Sequence, residues 1–268
     1  MDPTTRDTDF VGHLRRESRR FVEALTGVDA SAAVPSCPGW TAADLAWHLA
    51  EVQLFWAAVV RDGSTDGAVA ESAEAARPPR PDAYADVLAL VRSATADLVA
   101  VLREGADDAP AWTWSADRTV GFVRRRQAHE ALVHRVDAEL TAGSVSEMDA
   151  LLAADGVDEV VTVMWSGLPE WATFVPDGGT VELAAVDVGR TWRVQPGRFT
   201  GTSPTSGTTY DEPTAEVVTG LSEPAVAHVG AAAADLDRWV WNRGGAVETS
   251  GDPHALERLA AVVRAGIQ

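Results

Sequence analysis

The stretch Thr41-Ala-Ala-Asp44-Leu45-Ala-Trp-His48-Leu49-Ala-Glu-Val52-Gln-Leu-Phe-Trp56-Ala-Ala-Val59 decides the fold. Leu45, Leu49, Val52, Trp56 and Val59 follow one another at intervals of 4, 3, 4 and 3, the spacing of a helix with one buried face. Thr41 is placed to cap it, with Asp44 at the positive helix end. The Pro- and Gly-rich segment Val34-Pro-Ser-Cys-Pro-Gly-Trp40 precedes it and cannot be helical. His48 lies three residues after Leu45 and four before Val52, so an imidazole is expected on the buried stripe.

Working outward, Phe10, Leu14, Phe21 and Leu25 predict an amphipathic helix over 9–26. Residues 62–80, rich in Gly, Ala and Glu and closing on Arg77-Pro-Pro-Arg-Pro81, read as a long loop. Tyr84, Val87, Leu88, Val91, Leu98 and Leu102 mark a third helix, and a fourth is expected over 118–140. Four helices suggest a bundle. The second half changes period. After a helix over 147–167, residues 180–187, 191–195 and 215–219 read as strands, 197–213 as a loop or an edge, and 223–229 and 232–241 as short helices. Val247-Glu-Thr249 reads as a last strand, and Asp252-Pro253 opens a closing helix. The predicted fold class is α plus α+β: a bundle over 1–145, then a small α+β domain over 146–268.

Composition narrows the partners. The 268 residues carry 22 Lys+Arg against 40 Asp+Glu, a formal charge of −18, which repels a nucleic-acid backbone or an anionic membrane surface. A small molecule or another protein is left, with the chain itself a monomer or homodimer. A lone cysteine, Cys37, forms neither an intramolecular disulfide nor a Cys-rich zinc site. Without a signal-like apolar run near Met1 or a stretch of roughly 20 apolar residues, a cytoplasmic protein is expected.

Chemistry concentrates in the fourth helix, Arg126-Gln-Ala-His129-Glu130-Ala-Leu-Val-His134-Arg-Val-Asp137. At about 100° per residue, Glu130 and His134 sit about 40° apart on one face. His129 and His134 are about 140° apart and cannot grip one ion, which separates this segment from the H-E-x-x-H pattern. Glu130 and His134 with His48 from a facing helix make two imidazoles and one carboxylate, a set that suits zinc and leaves a position open. The bland alternatives are a hydrogen-bonded core histidine at 48 and an ordinary helix-face pair at 130 and 134. His129 is a supporting or packing residue, and His13, His228 and His254 are assigned to surface or caps. Arg126 faces Glu130 and is a candidate for an anionic substrate or a salt bridge. Cys37 reads as a small buried residue, and Trp40, Trp112 and Trp114 as candidate pocket linings.

Val34-Pro-Ser-Cys-Pro-Gly-Trp-Thr-Ala-Ala-Asp-Leu-Ala-Trp-His48-Leu and Arg126-Gln-Ala-His-Glu130-Ala-Leu-Val-His134-Arg-Val-Asp137-Ala-Glu together resemble the mycothiol-dependent maleylpyruvate isomerase family. The resemblance implies a DinB-like four-helix bundle holding a divalent metal, usually zinc, through His48, Glu130 and His134. It implies a C-terminal domain similar to a sterol carrier protein, on the likeness of Ala232-Ala-Ala-Asp-Leu-Asp-Arg-Trp-Val-Trp-Asn-Arg243-Gly and Val247-Glu-Thr-Ser-Gly-Asp252. Arg243 matches the family's Gly-Arg, while Asn242 departs from it. Arg126 and Arg243 become candidates for substrate, and mycothiol the thiol cosubstrate. The implied activity is isomerisation or S-transfer on a small anionic or electrophilic substrate. The competing readings are a non-catalytic binding module and a thiol-independent metal hydrolase.

Overall fold

The computed structural model describes residues 8–220 and 223–267. Among these the fold mixes α and β, with eight α-helices and a six-stranded sheet, and it divides into two compact units, 1–146 and 147–268.

The first unit holds α1 (Phe10–Leu25), α2 (Ala42–Asp62), α3 (Ala68–Ala75), α4 (Tyr84–Glu104) and α5 (Val120–Thr141). Side chains fix the starts of these helices. Asp9 accepts from the Gly12 N–H, Thr119 from that of Phe122, and Thr41 with Asp44 forms a reciprocal capping box on α2. Contacts along the helices give their directions. Tyr84 at the start of α4 reaches the Leu25 carbonyl at the end of α1, so these two are antiparallel. Arg61 at the end of α2 pairs with Asp97 late in α4, and Arg80 just before α4 with Asp44 early in α2, so α2 and α4 run the same way. Glu17 meets Arg135, Arg20 approaches Glu139, and Phe10 meets His129, so α1 and α5 are parallel as well. The result is an up-down-down-up bundle.

That topology explains the long connection between α2 and α4. Parallel neighbours need a segment that returns along the bundle, here residues 63–83. Expected as loop, it carries α3, whose two buried residues, Val69 and Ala73, lie one turn apart. Two apolar clusters fill the bundle, one around Leu14, Leu98 and Leu102, the other around Phe21, Leu25, Leu45 and Leu49. Between them lies a buried polar layer in which the Gln53 amide donates to Ser18 Oγ (2.9 Å) and accepts from Thr95 Oγ1 (2.6 Å).

The second unit opens with α6 (Ala150–Glu159), which continues as a π-helical turn through Met164. Its strands are β1 (Ala172–Pro176), β2 (Val181–Ala185), β3 (Arg190–Thr202), β4 (Thr209–Val217), β5 (Ala227–Ala231) and β6 (Glu248–Gly251). The long β3 pairs antiparallel with β2 in its first half and β1 in its second, with β4 along its other side. β5 lies parallel to β2, and β6 closes the sheet antiparallel to β5. α7 (Ala233–Val240) follows β5, and α8 (Pro253–Ala265) starts from the Asp252 cap and buries Leu259, Val262 and Val263.

The second unit departs from the sequence expectation at three places. The helix expected over 223–229 gives way to β5, where Ala227, Val229 and Ala231 alternate onto the buried face against β2. The 197–213 stretch is neither loop nor edge alone: β3 and β4 form a hairpin through it, with Thr202 opposite Thr209. β1 has no counterpart in the sequence reading; its residues are mostly exposed, so alternation is faint.

Candidate metal centre

α2 and α5 run antiparallel and face each other at His48. The α2 capping box fixes the first turn of that helix, and His48 follows Asp44 by one turn on the same side. From α5, Glu130 and His134 come one turn apart, as their angular spacing requires. His48 Nε2 lies 3.2 Å from Glu130 Oε1, and His134 Nε2 lies 3.1 Å from the same oxygen. One donor atom from each residue falls within 4.8 Å of the other two. The side chains are 28%, 17% and 10% exposed for His48, Glu130 and His134, so the group is open on the His48 side and closed on the His134 side.

A second layer orients these groups. Asp137, fully buried, accepts from His134 Nδ1–H at 2.9 Å, which turns Nε2 toward Glu130. Its other oxygen accepts from Ser36 Oγ at 2.5 Å, and Cys37 Sγ lies 3.5 Å from Oδ2, so the loop before α2 is tied to α5 through the same carboxylate. Arg126 Nη2 donates to Glu130 Oε2 at 2.7 Å, holding the oxygen that faces away from the imidazoles. On the other flank, His48 Nδ1 is 3.8 Å from Glu51, which is paired with Arg77 of the connection after α3. Trp40 covers the site, its ring 4.9 Å from that of His48 and stacked 6.5 Å from that of His134.

The electrostatics follow from burial and pairing. Burial alone would push the Glu130 carboxyl up, yet the adjacent His134 charge, hydrogen bonds to both imidazoles and Arg126 carry it well below the usual range. Burial likewise opposes charge on His134, but the Glu130 charge and the Asp137 hydrogen bond outweigh it and raise its pKa to about 9. A proton on His134 is thus the competitor that a cation at this position must displace.

Of the other sequence candidates, Arg243 lies in the second unit after α7, where its Nη1 donates to the Trp241 carbonyl. His129 is buried and edge-on to Phe10. His13 bonds Arg16, while His228 faces Glu182 on exposed strand positions. Trp112 stacks on Trp56, and Trp114 is exposed beside Phe122. The sequence pattern gave no role to Asp137, Glu51 or Ser36. Asp137 three residues after His134 and Glu51 three residues after His48 were the available signals; contacts from 36 and 77 need three dimensions.

Residues 11–139 match the family model described as the mycothiol maleylpyruvate isomerase N-terminal domain. The N-terminal unit belongs to that family. The maleylpyruvate isomerase likeness extends to structure. The fold is similar to crystal structures of the mycothiol-dependent maleylpyruvate isomerase and of a histidine-to-alanine mutant of it. TM-scores are 0.59 and 0.60, with 15% sequence identity over 95% of this chain and 99% of theirs. No curated protein matches the chain. No helix among the described residues is long and apolar enough to cross a membrane.

Proposed function

We propose that the chain is a mycothiol-dependent isomerase whose N-terminal unit, a DinB-like bundle, holds a divalent cation, zinc by preference, through His48 Nε2, His134 Nε2 and Glu130. The observation that carries this is the meeting of two imidazole nitrogens at 3.1 and 3.2 Å from one carboxylate oxygen. Ligands about 2.0–2.1 Å from a tetrahedral zinc are about 3.3 Å apart, so the separations suit that donor set. When bound, such a cation supplies a Lewis acid that favours the thiolate of a thiol cosubstrate near neutral pH.

The chain's own residues have defined parts. Asp137 keeps His134 Nδ1 protonated and Nε2 available. Arg126 serves as a positioning residue, holding Glu130 from behind. Trp40 narrows access and lowers the water content around the imidazoles. Arg243, on the resemblance of its surroundings, is assigned to binding an anionic group, with the C-terminal unit read as a sterol carrier protein-like domain. The reaction suited to these parts is addition of the cosubstrate sulfur to an activated cis alkene. The new C–S bond leaves an enolate, rotation follows about the resulting single bond, and expulsion of the same thiolate restores a trans alkene without net oxidation.

Metal analysis and a thiol-dependent assay test the proposal. Protein purified without added metal is expected to carry about one dication per chain, lost in His48→Ala and His134→Ala. Maleylpyruvate turnover, followed by ultraviolet absorbance, should require both the metal and mycothiol. Undiminished metal in His134→Ala overturns the ligand assignment. Hydrolytic turnover without thiol overturns the isomerase reading in favour of a bound-water hydrolase.

A further inference from the structure

We propose that the groove between α1 and α4 is a second binding site, built for a small organic anion that carries negative groups at both ends of an apolar body. This inference stands apart from the metal centre, which lies between α2 and α5.

The groove encloses about 530 Å³, within the size range of small-molecule sites. Four arginines line it: Arg15 and Arg19 from α1, Arg92 and Arg103 from α4. Because the two helices are antiparallel, Arg15 and Arg103 fall toward one end and Arg19 and Arg92 toward the other. Arg92 and Arg103 are 11 positions apart, roughly 16 Å of helix axis at 1.5 Å per residue. Cations therefore flank both ends, and between them the wall is apolar, formed by Val22, Ala96 and Val99.

Charge makes the feature unusual for this chain. All 22 basic residues are arginine, against 40 carboxylates, so counter-ions are abundant. Most arginines of the first unit take them: Arg61 pairs with Asp97, Arg77 with Glu51, Arg124 with Asp107, Arg135 with Glu17. Arg15, Arg92 and Arg103 have neither an ion pair nor a side-chain hydrogen bond to any described residue. The single carboxylate in the groove, Glu23, is held by Arg19 at 3.1 Å. Four guanidinium groups thus face one acid. Like charges gathered without partners repel one another, and the planar donor fork of arginine is matched by carboxylate or phosphate groups.

The floor is already built. Ser18 and Thr95 are buried, and their hydroxyls are fixed by Gln53 from α2. No reorganisation of the bundle core is needed to admit a ligand. A nucleic-acid backbone does not suit the site, since the surrounding excess of 18 negative charges repels any long polyanion while sparing a small one.

Calorimetric titration with biphenyl-4,4′-disulfonate tests the proposal, with biphenyl-4-sulfonate and inorganic phosphate as comparisons. The dianion is expected to bind at least about tenfold more tightly than either, and Arg92→Gln with Arg103→Gln to weaken it by about tenfold or more. Metal content and circular dichroism should stay unchanged in that variant, because both side chains are exposed. Binding should weaken as salt is raised. Absence of heat with folded protein, equal affinity in the double variant, or phosphate binding as tightly as the dianion each overturns the proposal. So does a dimer that dissociates in the double variant, which would make the groove an interface between copies.

Discussion

Asp137 and His134 share a hydrogen bond of 2.9 Å inside α5, and the same carboxylate anchors Ser36 of the loop before α2. One buried acid therefore sets the tautomer of a candidate ligand and the approach of the element that brings the other imidazole. Asp137→Asn keeps the shape and removes the charge. Partners of this kind are worth about 10–100-fold in metal affinity, and a loss of that size is expected in competition with a chromophoric chelator. Unchanged affinity would show that Asp137 serves folding alone.

Asp44 gives a pH-dependent prediction. The Thr41 hydroxyl, followed by Arg80, holds its carboxyl at about 2 against an ordinary 3.8. A folded-state pKa below the unfolded one contributes stability that is present above pH 3.8 and fades as pH falls toward 2. Asp44→Asn should thus cost up to about 1 kcal/mol at neutral pH, and the difference from wild type should shrink between pH 4 and 2. Urea melts across that range check it.

Arg135 is fully buried between Glu17 and Glu139, at 3.0 and 2.8 Å. Removing one partner strands charge in the core, so Glu17→Ala is expected to lose about 3–5 kcal/mol of unfolding free energy. Replacing all three by apolar residues of similar volume should cost far less, because no ion is left unpaired. Denaturant titrations of the two variants decide between an electrostatic and a merely steric role.

Gly197 of β3 pairs with Pro176 of β1 and has no room for a side chain. A Cβ there would lie 2.5 Å from the Val175 carbonyl oxygen and 2.5 Å from the Phe174 ring. Backbone cannot yield as a flexible side chain does, so Gly197→Ala should destabilise by about 1–3 kcal/mol. Hydrogen exchange should show the loss first in the amides joining β1 to β3.

The bundle was legible because its helices repeat leucine and valine at 3 and 4, a pattern that survives without knowledge of partners. α3 was not, since eight residues rich in Ala and Glu offer only Val69 and Ala73 as anchors. β5 was read as helix because alanine favours helices in isolation, whereas pairing with β2 decides the outcome. At the site, helix geometry alone selected Glu130 and His134, and the stripe selected His48. Trp40 stood out as a pocket lining, Glu51 lies one turn after His48 on the same helix, and only Ser36 escaped because its relation to the imidazoles depends on how separate elements approach. The unpaired arginines of the α1/α4 groove escaped for the same reason: in the sequence, Arg15 and Arg19 look like the solvated face of an amphipathic helix.

The return segment 63–83 has a consequence for how the centre can be divided. It joins the two like-directed helices, so a protease cut within it yields one piece with α1, α2 and His48, and another with α4, α5, Glu130 and His134. Neither fragment owns a complete set of donors, and the second keeps only an i,i+4 pair. Cation capture by the mixed fragments would then signal that the halves had found each other again, turning the centre into a reporter of reassembly.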